Sequence, residues 1–294
     1  MEVTQISHRI IADLLLERTG QQLTEGRQWR VGSALTDVFR EYGIDNVDQL
    51  VCMLDRNDSE EISRKVVEAL LNNETYFFRD RQLFQRLSDT VLPDLAAKRA
   101  GTRRLAIWSV GCSTGQEALS LSMMFADRPQ MWRGWKIEIL GTDISSRAIS
   151  AARRACYSQF EIQRGLGVAQ MLRHFSETPR GWVPDPALLA PICYRVGNVL
   201  DTPIRPERFD LVLCRNVLLY FDTATRRRAL GRVADSLRSD GWLMLGAGET
   251  MAGNSGRFAP ATDVQGLYRC TGREPADRGL RGSSCKVNSH LTLP

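Results

Sequence analysis

The residues best equipped for chemistry lie in one stretch, Trp108-Ser-Val-Gly111-Cys-Ser-Thr-Gly115-Gln116-Glu117. Gly111 and Gly115 carry no Cβ, so the backbone there can approach a ligand closely. The spacing excludes two common uses. A GxxxxGK[ST] phosphate loop needs Lys after its second glycine, and Gln116 stands there. A dinucleotide loop reads GxGxxG, whereas Cys-Ser-Thr separates these two glycines. A pyrophosphate also favours bare N–H groups and a cation. Here an acid, Glu117, sits in the first turn of the following helix. A carboxylate at that point suits a ligand bearing an ammonium or a sulfonium, and S-adenosylmethionine carries both. It would equally complement the helix dipole with no ligand at all, and the loop alone leaves both readings open.

A second acid follows. Lys136-Ile-Glu-Ile-Leu-Gly-Thr-Asp143 reads as a strand ending on a carboxylate. In an α/β sheet an acid at the end of the second strand can accept hydrogen bonds from both ribose hydroxyls. The other reading makes Asp143 the cap of a helix starting near Ser145.

These residues need a scaffold. Strands are expected at 105–110, 136–142, 209–214, 241–247 and 266–270, with helices at 115–127, 145–155 and 223–238. Such alternation builds a mostly parallel sheet covered on both faces. Residues 176–193 interrupt it with prolines and a glycine and are expected to form a short hairpin-like insertion. Ahead of the sheet, residues 1 to 90 are expected to be all-helical, a small domain with its linker. Ile6, Ile10, Leu14 and Leu15 share one helical face, and Val31, Leu35, Val38 and Phe39 share another before Gly43. Val47, Leu50, Val51 and Leu54 mark a third helix. Asp58 and Glu61, at capping-box spacing, open a fourth that runs to about Leu71. The division is thus a helical domain at 1–90, a sheet domain at 91–270 and a polar tail at 271–294 that is expected to be disordered.

Composition narrows the class. The chain has 294 residues, 43% hydrophobic and 25% charged, as expected of a globular protein. Its net charge of +5 is spread out rather than concentrated in one block, which argues against nucleic acid. The seven cysteines are odd in number and lack metal-ligand spacing, so free thiols, a reducing compartment and no metal are expected. No run of 18 apolar residues is present, and the start Met1-Glu-Val-Thr-Gln has no signal-peptide pattern, so a cytoplasmic protein without membrane insertion is expected.

Further segments complete a recognisable set. Asn73-Glu-Thr75-Tyr-Phe77-Phe78-Arg79 joins the two regions. Asn198-Val199-Leu200 precedes the strand at 209–214, and Cys214-Arg215-Asn216-Val217-Leu-Leu-Tyr220-Phe221 follows it. With the loop at 108–117 and Asp143, these resemble, in order and over about residues 5–270, the motifs of CheR-type chemoreceptor glutamate O-methyltransferases. The resemblance implies a Rossmann-like S-adenosylmethionine-dependent methyltransferase sheet behind a small helical domain. Arg79 would bind the cofactor carboxylate or orient the substrate acid, and Glu117 would contact the methionyl amine. Asp143 would hold the ribose, with Asn198 and Val199 bordering the adenine. Asn216, Val217 and Tyr220 would line the space around the reactive methyl. Asn73 and Thr75 would fix the junction against the cofactor, and Gly111 would let the loop approach it. Arg79, Asn216 and Tyr220 are the expected catalytic group. Other roles stay open: a structural salt bridge for Arg79, a core position for Tyr220, a turn cap for Asn216, and packing for Phe77 and Phe78.

The partner implied is the cytoplasmic helical region of a methyl-accepting chemoreceptor, engaged by a monomer. Two departures stand out. Relatives with a basic second helix lead one to expect charge at Ala34 and Val38, although Arg27, Arg30 and Arg40 remain. The insertion is short for gripping a receptor's C-terminal pentapeptide, and Pro184, Pro186 and Pro191 lack the N–H groups that an added strand needs. Independence from such a peptide is therefore expected. The competing readings are a methyltransferase acting on RNA or a small molecule, since one fold hosts many acceptors, and a cofactor-binding signalling protein without transfer activity.

Overall fold

The computed structural model describes residues 2–23, 31–55, 59–201, 208–251, 256–261 and 265–271. The N-terminal region is helical: α1 (Glu2–Thr19), α2 (Thr36–Tyr42), α3 (Val47–Leu54) and α4 (Glu60–Leu70). Their apolar faces meet in a core of their own around Ile11, Leu15, Leu35, Leu50 and Val66. Asn46 starts α3 by accepting from the Gln49 N–H, whereas α4 starts after Ser59 with no side-chain cap. The Asp58 side of the expected capping box lies outside the described residues. So do Arg27, Arg30 and the expected tail beyond Thr271. Val38 is buried in this core rather than standing in place of a surface charge, so its apolar type reflects packing. Arg40 is exposed and pairs with Asp37.

Beyond α5 (Leu92–Lys98) the chain alternates. The elements that carry the site are β1 (Arg104–Val110), α6 (Gln116–Ala126), β2 (Lys136–Asp143) and α7 (Ser146–Arg154). Helix α8 (Val168–His174), the hairpin β3 (Phe175–Thr178) and β4 (Gly181–Pro184), and β5 (Ile192–Val196) follow. Strand β6 (Phe209–Cys214), α9 (Thr223–Ser236), β7 (Leu237–Leu245), β8 (Phe258–Pro260) and β9 (Leu267–Cys270) complete the fold. The strands order as β5-β2-β1-β6-β7-β9-β8. The first five are parallel, and β9 joins antiparallel to β7 and β8. This is a doubly wound, Rossmann-like sheet. Leu105, Ile107, Leu211 and Leu213 pack against α5 and α6 on one face. Val110, Val212 and Leu243 pack against Leu230 and Val233 of α9 on the other.

Two strands differ from the sequence expectation. β7 begins at Leu237 rather than at the expected 241, and its pairing with β6 shifts register between Phe209 and Leu211. Gly241 sits at that irregularity, where a Cβ would lie 2.9–3.1 Å from Leu237, Arg238 and Asp210. β5 lies partly inside the expected insertion. Only Tyr194 of its residues is buried, so this edge strand shows no apolar run.

The hairpin at 175–184 is present and packs its own core of Phe77, Tyr157, Phe175 and Trp182. The prolines do not blunt its open edge. Pro184 pairs within the hairpin, Pro186 begins a short helix, and Pro191 offers its carbonyl to Ile139 N–H. The outer edge of β4 is instead taken by Tyr157, which exchanges two backbone hydrogen bonds with Trp182. Among the described residues no helix is long and apolar enough to cross a membrane.

Candidate active site

The carboxyl ends of β1, β2, β5 and β6 open into one cleft of about 840 Å3, counted out to its solvent mouth. Asn73, Thr75, Arg79, Gly111, Glu117, Asp143, Asn198, Val199, Asn216, Val217 and Tyr220 all line it. Ligands bind at such strand ends because loops there are not committed to the sheet.

The loop after β1 takes a tight path. Gly111 has φ 67°, and a Cβ on it would lie 2.5 Å from a Val217 methyl carbon. Ser113 also has a positive φ, 50°. Its N–H donates to Asp143 Oδ2 at 2.8 Å and its hydroxyl to the Asn73 carbonyl at 2.7 Å. Asp143 Oδ1 accepts from the Ser145 N–H at 2.9 Å. Burial pushes the Asp143 carboxyl above its ordinary value, although the Ser145 and Ser113 N–H groups pull it down. The cap of α7 is Ser145, whose hydroxyl accepts from Ala148 N–H.

Glu117 does more than face a helix dipole. Oε1 accepts from the Ser109 hydroxyl at 2.6 Å, and Oε2 accepts from Arg215 Nη1 at 2.8 Å. Arg215 Nη2 donates to Asp80 Oδ2 at 2.7 Å and to the Arg79 carbonyl at 2.6 Å. The Arg215 side chain is 2% exposed, and its guanidinium lies 5.3 Å from the Phe84 ring centre. Asp80 sits at φ 58° and Phe78 at φ 49°, an uncommon backbone that persists only where surroundings fix it. In sequence Arg215 is one residue of the motif that follows the strand, and nothing local marks its role. Only the folded chain sets it between two carboxylates.

Arg79 makes no ion pair among the described residues. Its Nη1 donates to the Glu74 carbonyl at 2.9 Å at the mouth of the cleft. Phe77 is a packing residue, fully buried edge-on to Tyr157 and Phe175.

The loop after β6 hangs on a residue the sequence did not mark. Glu249 is 5% exposed. It accepts from the N–H groups of Asn216 at 2.7 Å, Leu218 at 2.8 Å, Gly246 at 2.9 Å and Leu219 at 3.3 Å. Asn216 is thereby held at φ 58°. Gly-Glu-Thr after a strand reads as an ordinary polar turn, and nothing local signals the role. Tyr220 is half-buried rather than a core aromatic, and its hydroxyl accepts from Asn72 Nδ2 at 2.8 Å.

The helical region roofs the cleft. Glu68 of α4 accepts from the N–H and hydroxyl of Ser146 at 2.6 and 2.7 Å and from the Ser145 hydroxyl, at the start of α7. Gln22 N–H donates to the Tyr220 carbonyl at 2.8 Å, and Asn198 Nδ2 to the Thr19 carbonyl at 3.4 Å.

The donor set fits S-adenosylmethionine. Carboxylates stand where an ammonium and a ribose diol would need acceptors, and both would repel a polyphosphate. Ile144, Val199 and Val217 give apolar walls for a base.

A family model described as CheR methyltransferase, SAM binding domain, matches residues 73–265. Chemotaxis protein methyltransferase 1 of Pseudomonas aeruginosa is 35% identical over 243 residues, covering 81% of this chain and 88% of that protein. Chemotaxis protein methyltransferase Cher2 of Pseudomonas putida is 32% identical over 238 residues, covering 80% and 86%. A chemotaxis protein methyltransferase of Vibrio parahaemolyticus is 28% identical over 259 residues, covering 87% and 93%. With its sheet order, its cleft and these alignments in agreement, the chain belongs to the CheR family of S-adenosylmethionine-dependent methyltransferases.

Proposed function

We propose that this methyltransferase esterifies glutamate side chains on the cytoplasmic helical region of a methyl-accepting chemoreceptor. The observation that carries the reading is the convergence of the eleven expected site residues, from Asn73 to Tyr220, on one cleft. The names of the relatives point to the same acceptor pathway.

When bound, the cofactor supplies an electrophilic methyl on a sulfonium. The acceptor carboxylate is already an anion near neutral pH, so no side chain need remove a proton. In this reading the residues of the chain orient and dry. Glu117, fixed by Ser109 and Arg215, holds the methionyl ammonium, and Asp143 holds the ribose. Arg79 and Tyr220 at the mouth take the acceptor carboxylate and point one oxygen along the transfer axis. Alignment of this kind can contribute about 7–11 kcal/mol to a rate in favourable cases. Water exclusion by the roof strengthens the hydrogen bonds made inside.

Residues 1–90 read as a helical domain with its linker and 91–270 as the catalytic domain; a separate helical core up to Leu71 supports the first, while Leu83, Phe84 and Leu87 of the linker pack with the sheet. Independence from a receptor tail peptide keeps one support, the shortness of a hairpin whose strands are four residues each. The chain is read as a cytoplasmic monomer that uses no metal. Incubation with methyl-labelled cofactor and receptor membranes tests the acceptor. Base-labile label on receptor is expected, whereas label on RNA, or binding without transfer, defeats the reading. A tail peptide that binds at low-micromolar concentration would defeat the independence.

A further inference from the structure

One corner of the cleft holds a polar atom without a partner. Gln21 lines the cleft, and its Oε1 is shielded from solvent with no hydrogen-bond donor against it among the described residues. Buried carbonyls of this kind are nearly always satisfied, so its position in the cleft offers an acceptor to a donor bound there.

The segment that carries it is held in place. Gln21 N–H donates to the Thr19 hydroxyl at 3.0 Å, and Gln22 N–H ties the next residue to Tyr220. Gly20 is packed so closely that a Cβ would lie 2.4 Å from a Leu200 methyl carbon. The end of α1 is therefore a fixed wall over residues 198–200.

Asn198, on the same wall, already uses one N–H and one lone pair of its amide within the chain. Nδ2 donates to the Thr19 carbonyl, and Oδ1 accepts from Leu200 N–H at 3.0 Å. With the methionyl end at Glu117 and the ribose at Asp143, the base extends the other way, toward Ile144, Val199 and Gln21. Ile144 and Val199 suit the faces of a flat ring. The edge of an adenine presents an exocyclic amine, which is a donor, and Gln21 Oε1 is an acceptor with no bond of its own among the described residues.

We propose that Gln21 Oε1 accepts a hydrogen bond from the exocyclic amine of the cofactor's adenine, so that the helical region itself reads the base. The inference rests on the cofactor reading above and concerns this chain's own residue at that site.

Calorimetry on the whole protein tests it, using S-adenosylhomocysteine and its 6-deamino analogue, in which hydrogen replaces the amine. Wild type should bind the parent about tenfold more tightly than the analogue. Gln21→Glu keeps an acceptor and should keep the preference. Gln21→Met, with Gln21→Leu as a second apolar variant, should bind both compounds within about twofold of each other. An unchanged preference in the apolar variants overturns the role of Gln21. Failure of wild type to bind S-adenosylhomocysteine at all overturns the cofactor reading instead.

Discussion

Arg215 donates to Glu117 at 2.8 Å from a side chain that is 2% exposed, and the same guanidinium reaches Asp80 on its other side. One buried cation thus bridges two carboxylates, Glu117 beside the cofactor loop and Asp80 on the junction between helical region and sheet. Removing it would leave the largely buried Glu117 without its cation and Asp80 with only partial access to solvent. Arg215→Met should cost roughly 3–5 kcal/mol in urea unfolding. Arg215→Lys should recover part of that and still weaken S-adenosylhomocysteine, because an ammonium cannot hold both carboxylates with a planar fork. A loss below about 1 kcal/mol for the Met variant would refute the pairing.

Glu249 should act on rate through geometry. Its two oxygens accept four N–H groups that shape the loop bearing Asn216 and Tyr220. Glu249→Gln turns one acceptor into a donor facing donors. Transfer should fall about tenfold or more, with a smaller change in cofactor affinity. Single-turnover kinetics beside calorimetry separates the two effects, and equal losses in both would show that the loop serves binding alone.

Asp143 should give a pH signature. Burial raises its carboxyl above the ordinary value. The folded chain therefore holds this proton more firmly than the unfolded chain does. Its contribution to stability is fully present at acid pH and is lost as pH rises through the folded value. Hydrogen bonds from ribose hydroxyls favour the ionised form. S-adenosylhomocysteine should therefore bind with proton release in acid buffer and weaken as pH falls through the raised value of this carboxyl. Asp143→Ala should weaken binding at pH 7 and abolish the proton release. Equal affinity for wild type and variant contradicts the ribose assignment.

Tyr220 meets Asn72 across the mouth of the cleft, with 2.8 Å between hydroxyl and amide. Tyr220→Phe removes the hydroxyl and keeps the ring. Turnover should drop by about tenfold while S-adenosylhomocysteine affinity changes little. An unaltered rate would leave Tyr220 with a packing role only.

Glu68 joins the helical region to the start of α7. Glu68→Ala should destabilise the chain by about 1–2 kcal/mol, the range for losing a helix N-terminal acceptor. Because the same contact seats the roof of the cleft, cofactor affinity should fall as well. Thermal unfolding with and without S-adenosylhomocysteine reads both, and an unchanged ligand-induced shift would show that the roof does not need this anchor.

Much of this protein is written locally. Strands β1 and β2 can be read because central parallel strands are apolar on both faces. The loop from Trp108 to Glu117 is legible because a close backbone approach demands glycine at set positions. Asp143 is legible because it ends a strand. Such features depend on neighbours in the chain, so residue order alone determines them. What depends on distant partners was decided only in three dimensions. Val38 became a core residue, β5 an edge strand with one buried side chain, and Glu249 the acceptor for a loop 30 or more residues away. Arg215 found Asp80 across 135 residues of sequence. Buried ion pairs and shared N–H acceptors arise from where strands end and which helix covers them. A sequence lists the charges, but the desolvation that makes each one matter exists only in the folded chain.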